Sequence, residues 1–269
     1  MPLTPFWKVH GAGNDFVLLD QVGAPVDLAP EVAARVCDRH TGVGADGLLL
    51  VRRDPDGGWR LVILNSDGSR PEMCGNGIRC VARHLREVHG EPSDPIAIRT
   101  DAGVRPCSVT KNADGTWSVT VGMGRATVAP ADETALAGGR VHTFRRVSVG
   151  NPHAIIASDD PWADARTYGP ELEVASVFPN RSNIELVQRL SPDAVKVVVH
   201  ERGCGITQAC GTGATAVAAA FVETGRHPAD RPLAVHLPGG VVTIRRADDG
   251  TWLMTGPAAV VFRGEIELY

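Results

Sequence analysis

Apolar residues come in many short runs, and few of the runs repeat with helical spacing. Runs at 16–19, 48–51, 59–64, 96–99, 117–121, 146–149, 184–186, 194–200, 233–237, 241–245, 252–254 and 258–262 have the length and patterning of strands. Asp56-Gly57-Gly58, Asp114-Gly115, Gly239-Gly240 and Asp249-Gly250 punctuate them as hairpin turns. Helices are predicted at 29–39, at 78–88, and at 213–223 with a stop at Gly225. The third has no polar face over 214–222, so it must be buried all round. The second is more amphipathic, with Arg79, Arg83, Arg86 and Glu87 expected to face solvent.

Many strands around one buried helix predict an α+β fold in which a strand layer wraps a central helix. The pattern occurs twice. Strands lead to Met73-Cys74-Gly75-Asn76-Gly77 and a helix, and later to Ala209-Cys210-Gly211-Thr212-Gly213 and a helix. Two domains of one architecture are expected, 1–120 and 121–257, with a boundary in the Gly- and Pro-containing stretch 121–130. The C-terminal strand, 258–269, is expected to return to the first domain.

Composition narrows the function. With 269 residues, 43% of them apolar, the chain has a core that needs no covalent staples. A net charge of −4 offers no basic surface for nucleic acid. The N-terminal segment lacks a secretory pattern, and 214–222 is too short to span a membrane, so a cytoplasmic protein with reduced thiols is expected. Of 27 basic residues only Lys8, Lys111 and Lys196 are lysines, none in a distinctive setting for a Schiff base. Gly42-Val43-Gly44-Ala45-Asp46-Gly47 fits G-x-G-x-x-G, but a helix precedes it and a strand follows, the reverse of a dinucleotide site.

The candidate chemistry lies in the two cysteine motifs. A lone cysteine is ordinarily a small buried apolar residue, the reading for Cys37, Cys80 and Cys107. The spacings Cys74–Cys80 and Cys204–Cys210 lack the C-x2-C companions of a zinc or redox site, and no metal is expected. Cys74 and Cys210 differ because glycines strip side chains from the helix start behind them. Exposed N–H groups there hold an anion and are expected to lower a thiol's pKa from about 8.5 toward neutrality. A thiolate and a thiol on opposite faces of an α-carbon would invert it, with the carboxylate held at the helix mouths.

These residues resemble the diaminopimelate epimerase family over nearly the whole chain. The resemblance rests on Lys8-Val9-His10-Gly11-Ala12-Gly13-Asn14-Asp15-Phe16, Thr41 to Asp46, Asn65 to Ser69 and the first cysteine motif. Gly150-Asn151-Pro152-His153, Asn183, Glu201-Arg202-Gly203 and the second cysteine motif complete it. It implies two pseudo-symmetric, mainly antiparallel, barrel-like domains and a cofactor-independent isomerase. The substrate would be diaminopimelate, taken between its LL and meso forms for lysine and peptidoglycan precursors. By position, Cys74 and Cys210 would be acid and base. Gly75-Asn76 and Gly211-Thr212 would hold the reacting carboxylate, and Asn14, Asn65, Asn151, Asn183, Glu201 and Arg202 the rest of the substrate. His153 would sit near a catalytic thiol. No nucleic-acid or membrane partner is implied, and a homodimer is left open. Gly47 stands where the family often has glutamine and Ile206 where it often has glutamate, and Cys204 lies close in sequence to Cys210. Proline racemase and hydroxyproline epimerase share the architecture, but a histidine tends to follow their first Cys-Gly, where this chain has Asn76. A non-catalytic amino-acid binding module would need neither cysteine.

Overall fold

The computed structural model describes residues 3–268, so Tyr269, the end of the expected last strand, lies outside the described residues. The chain divides into two compact units. One runs to Val121 and resumes at Gly256; the other is Gly122–Thr255.

In the first unit the elements run β1 (Thr4–Gly11), β2 (Asn14–Asp20), α1 (Pro30–Cys37), β3 (Gly47–Arg53), β4 (Trp59–Asn65), α2 (Gly75–Val88), β5 (Ile96–Thr100), β6 (Gly103–Lys111) and β7 (Trp117–Gly124). Each strand pairs with the next. The steps β1–β2, β3–β4, β5–β6 and β6–β7 are antiparallel, while β2–β3 and β4–β5 are parallel. A parallel step needs a crossover, and α1 and α2 supply the two. The C-terminal strand, Ala259–Ile266, pairs antiparallel with β1.

The second unit continues with β8 (Thr127–Val128), β9 (Glu133–Ala137), β10 (Arg140–Ser148), β11 (Pro152–Ala157), α3 (Pro161–Glu173), β12 (Asn183–Ser191) and β13 (Ala194–Glu201). Then come β14 (Gly205–Ile206), α4 (Gly211–Glu223), β15 (Leu233–Leu237), β16 (Gly240–Arg246) and β17 (Trp252–Pro257). From β10 the pairing repeats the first unit: antiparallel to β11, parallel to β12, antiparallel to β13, parallel to β15, then antiparallel through β16 to β17. The helices α3 and α4 occupy the same two crossovers as α1 and α2. Each unit is thus a barrel-like strand layer, antiparallel except where a helix crosses over.

The packing follows from which face of the layer each helix covers. The helix α2 touches every strand from β1 to β6, and α4 touches β8, β10, β11, β12 and β16. The helix α1 covers the other face of its layer, in a core with Val17, Leu19, Leu48, Leu50, Val62 and Leu64. The run Leu48-Leu49-Leu50-Val51 in β3 is therefore buried on both faces and reads as continuously apolar. Leu49 points toward α2, where a methyl on Gly77 would stand 2.7 Å from its Cδ2. With a side chain at that position, Leu49 would have to move for α2 to pack as closely onto β3. The helix α3 is not among the predicted helices, because Gly169 and Pro170 interrupt its pattern. Asp160 caps it through the Ala163 N–H at 3.2 Å, and a methyl on Gly169 would stand 2.8 Å from the His200 ring.

The C-terminal end of α2 is tied to β2 through one carboxylate. Asp20 Oδ2 lies 2.9 Å from His84 Nε2 and 2.6 Å from His89 Nε2. Burial raises the Asp20 pKa, but the hydrogen bonds from His84 and His89 outweigh it and lower it from 3.8 to about 2. The anchor's contribution is then fully present above the ordinary carboxylate value and lost as pH falls toward the lowered one. Asp20→Asn should cost about 1–3 kcal/mol at neutral pH by urea denaturation. The gap to the parent chain should close as pH drops from 3.8 to about 2. A variant as stable as the parent at neutral pH would show the anchor to be inert.

Candidate active site

In the first unit Cys74 is the N-cap of α2, with extended backbone at φ −136°, ψ 114° and no capping bond from its own side chain. The opening N–H groups of a helix have no intrahelical acceptors, which leaves this mouth suited to an anion. Asn14, at the start of β2, brings its Oδ1 to 3.7 Å from Cys74 Sγ and accepts a hydrogen bond from Asn76 Nδ2 at 3.1 Å. Its Nδ2 donates to Asp46 at 2.7 Å. Asp46 and Asp15 are in turn held by Arg39, and Lys8 bonds Asp15 and the Gly44 carbonyl. Burial raises the Asp15 pKa, but its bonds to Arg39 and Lys8 bring it down to about 2. Lys8 is only 8% exposed and belongs to an ion-pair network that braces Asn14.

Arg79 departs from the sequence reading. Expected at the surface, it is fully buried. Its guanidinium donates to the Asn76 Oδ1 at 2.8 Å, the Gly75 carbonyl at 3.1 Å and the Pro257 carbonyl at 3.2 Å. Gly11 is a glycine for this reason, since a methyl there would lie 2.9 Å from Arg79 Nη2. The guanidinium therefore fixes both the first turn of α2 and the Asn76 side chain that meets Asn14. Burial lowers the Arg79 pKa, while the charges of Cys80, Cys74 and Cys107 would raise it. A thiolate at Cys74 and the Arg79 cation attract one another. Asn65 Nδ2 donates to Ser69 Oγ at 2.9 Å in a turn. Cys80 and Cys107 are buried packing residues, their thiols pushed up to about 12 by burial.

In the second unit Cys210 is the N-cap of α4, and here the sulfur does accept from the Gly213 N–H, at 3.4 Å. Thr212 Oγ1 lies 3.5 Å from the same sulfur. From Thr212 contacts continue to Asn151 Nδ2 at 3.4 Å, from Asn151 Oδ1 to His153 Nε2 at 2.9 Å, and from His153 Nδ1 to Glu185 Oε1 at 2.6 Å. Glu201 accepts from Thr207. Asn183 donates to the Pro152 carbonyl at 2.9 Å and accepts the Arg202 N–H at 3.0 Å. It joins the strand bearing His153 to the Glu201-Arg202 turn. The Arg202 guanidinium is exposed and reaches the Asn180 carbonyl at 3.4 Å. Cys204 is exposed.

The electrostatics of Cys210 reverse an expectation. The lowering effect of its helix mouth is outweighed. Burial, then the carboxylates of Glu201 and Glu185, push it well above the ordinary value, and the bonds from Thr212 and Gly213 only partly offset them. Glu201 is itself pushed up, chiefly by burial. Glu185 is the residue that the sequence reading passes over. Its signal is a single acid between buried Ile184 and Leu186 in the middle of β12, a position an apolar strand ordinarily fills.

Comparison with known proteins bears on the whole chain. The family model for diaminopimelate epimerase matches residues 6–129 and 145–261. The diaminopimelate epimerase of Synechococcus elongatus is 44% identical, over 98% of each chain. That of Acidiphilium cryptum is 42% identical, over 98% of this chain and 96% of its own. Among solved structures, a Bacillus anthracis phenazine biosynthesis protein of the PhzF family superposes with a TM-score of 0.77 at 17% identity, covering 99% of this chain and 100% of its own. A hydroxyproline epimerase from Agrobacterium vitis gives 0.69 at 16%, covering 99% of this chain and 91% of its own. At those identities the two structures speak for the fold alone. With the family model and near-full-length relatives in agreement, the chain belongs to the diaminopimelate epimerase family.

Proposed function

We propose that this chain interconverts LL- and meso-diaminopimelate without an organic cofactor, in the cytoplasm, with Cys74 and Cys210 as the proton-transferring pair. The observation that carries the reading is the recurrence of one device at equivalent places. In each unit, the crossover helix after the fourth strand of the repeat begins with Cys-Gly-x-Gly, the cysteine as N-cap. The two sulfurs are coupled to different charged groups. The Arg79 cation is coupled to Cys74, while burial and then two carboxylates favour a neutral Cys210.

In the proposed direction from the resting state, the Cys74 thiolate takes the α-proton. The C–H electron pair passes into the substrate carboxylate, which the N–H groups of Gly75, Asn76, Gly211 and Thr212 stabilise. The Cys210 S–H then gives its proton to the opposite face of the α-carbon. One C–H bond breaks and one forms, so charge and atoms balance, and the two sulfurs exchange states. Arg202 suits the distant carboxylate of a long, doubly zwitterionic substrate, with Asn14, Asn65, Asn151, Asn183 and Glu201 supplying the remaining polar contacts. A free thiol pair suits a reducing compartment.

Cys74→Ser and Cys210→Ser should each lower interconversion by at least roughly 10²- to 10⁴-fold, the weight of one general acid or base. The measurement is solvent deuterium entering the epimerised product, with LL-diaminopimelate run beside proline and 4-hydroxyproline. Full activity in either variant would end the two-base reading, and turnover of proline alone would end the substrate assignment.

The resting assignment has its own test. In a Cys204→Ser background, iodoacetamide at neutral pH should label Cys74 before Cys210, as followed by peptide mapping. Labelling of Cys210 should accelerate only above the ordinary thiol range, because its thiol is held protonated there. Labelling of Cys210 first would reverse the two roles.

A further inference from the structure

The geometry points to Glu185 as the positioning residue that keeps His153 doubly protonated and thereby turns the Asn151 carboxamide toward the mouth of α4. The inference rests on the function proposed above, since it supposes that Asn151 and Cys210 serve one site.

Glu185 and His153 side chains are both completely buried. His153 Nδ1 lies 2.6 Å from the Glu185 carboxylate, and Nε2 lies 2.9 Å from Asn151 Oδ1. Neither a carboxylate oxygen nor an amide oxygen brings a hydrogen. With Glu185 ionised and the amide in this orientation, both ring nitrogens carry one, and the ring is an imidazolium. That arrangement leaves the Asn151 NH2 for Thr212 Oγ1, 3.4 Å away, which in turn lies 3.5 Å from Cys210 Sγ. Rotating the amide would present NH2 to the ring and leave a singly protonated histidine. The two arrangements differ by one proton, and the charge on Glu185 selects the first.

The surroundings are built for that carboxylate. Glu185 Oε2 is buried with no hydrogen-bond partner, and a nearby cation would offset a charge held there. A methyl on Gly213 would stand 2.8 Å from Glu185 Oε1, so the glycine three residues after Cys210 also makes room for the acid. The other ionisable groups facing the pair are Glu201 on β13 and Cys210 at the start of α4, both coupled to it electrostatically. A cationic His153 keeps this group of acids from accumulating negative charge beside the thiol.

The test is a proton count at His153. In protein labelled with 15N at histidine, with the resonance assigned through His153→Gln, both ring nitrogens should appear protonated at neutral pH. In Glu185→Gln, which keeps the shape and removes the charge, the ring should become singly protonated. kcat/KM for diaminopimelate should fall roughly 10- to 100-fold, as when the outer partner of a ligating histidine is lost, with KM rising because Asn151 loses its orientation. A singly protonated His153 in the parent protein would overturn the inference, and that spectrum decides it even if the variant does not fold. So would an unchanged ring spectrum in Glu185→Gln, or turnover within about twofold of the parent. If the parent protein fails to epimerise diaminopimelate, the functional reading falls while the spectrum still judges the role of Glu185 at His153.

Discussion

A helix start carries backbone N–H groups that no residue of the helix can satisfy. This chain buries two such helices in shells of strands and places a cysteine at each start. Much of the fold follows from that constraint. A helix can enter the shell only at a crossover, which is why the ladder is parallel at those steps and antiparallel elsewhere. Its first turn comes close to the strands where side chains are absent, as where Gly77 meets Leu49 and where Gly213 meets Glu185. The buried N–H groups then need a polar occupant at the mouth, and a substrate carboxylate is one that the proposed reaction supplies.

The scaffold is repeated, but the lining of the two mouths is not. Behind Cys74 a buried guanidinium crosses the first turn and reaches back to Asn76, which meets Asn14. Around Cys210 the buried groups are acids and a histidine, linked through Asn151 and Thr212 to the sulfur. A helix dipole acts on both thiols alike. It cannot make one a base and the other an acid, so the difference must come from side chains that the two units do not share.

What was legible in the sequence was what is decided locally. The Cys-Gly-x-Gly motifs, the apolar circumference of α4 and the Asp-Gly and Gly-Gly turns each depend on neighbours a few residues away. The helix α3 was not legible, because its glycine and proline look like a break until His200 is placed beneath Gly169. Nor was the burial of Arg79. On a helical wheel it belongs with Arg83 and Arg86, and only a carbonyl 178 residues further along the chain shows what receives it. Glu185 was visible as an anomaly in an apolar strand, but its partner stands 32 residues earlier. The upward shift of Cys210 needed its burial and the placement of Glu201 and Glu185, since the helix start alone argues for the opposite direction.

A reversible epimerase sharpens the significance of that shift. In the proposed reaction each turnover leaves the sulfurs in exchanged states, so the enzyme must pass as readily through a Cys210 thiolate as through a Cys74 thiolate. Each unit of difference between the two thiol pKa values favours one state by about 1.4 kcal/mol. A Cys210 held far above the ordinary value by burial and then by two carboxylates stays protonated but gives its proton up reluctantly. Cationic charge placed near that sulfur works in the other direction. His153, buried against Glu185 and coupled electrostatically to Glu201, is placed to supply it. On this argument burial and the acids determine which sulfur starts protonated, and the histidine limits how far that preference can go before proton release from Cys210 stalls.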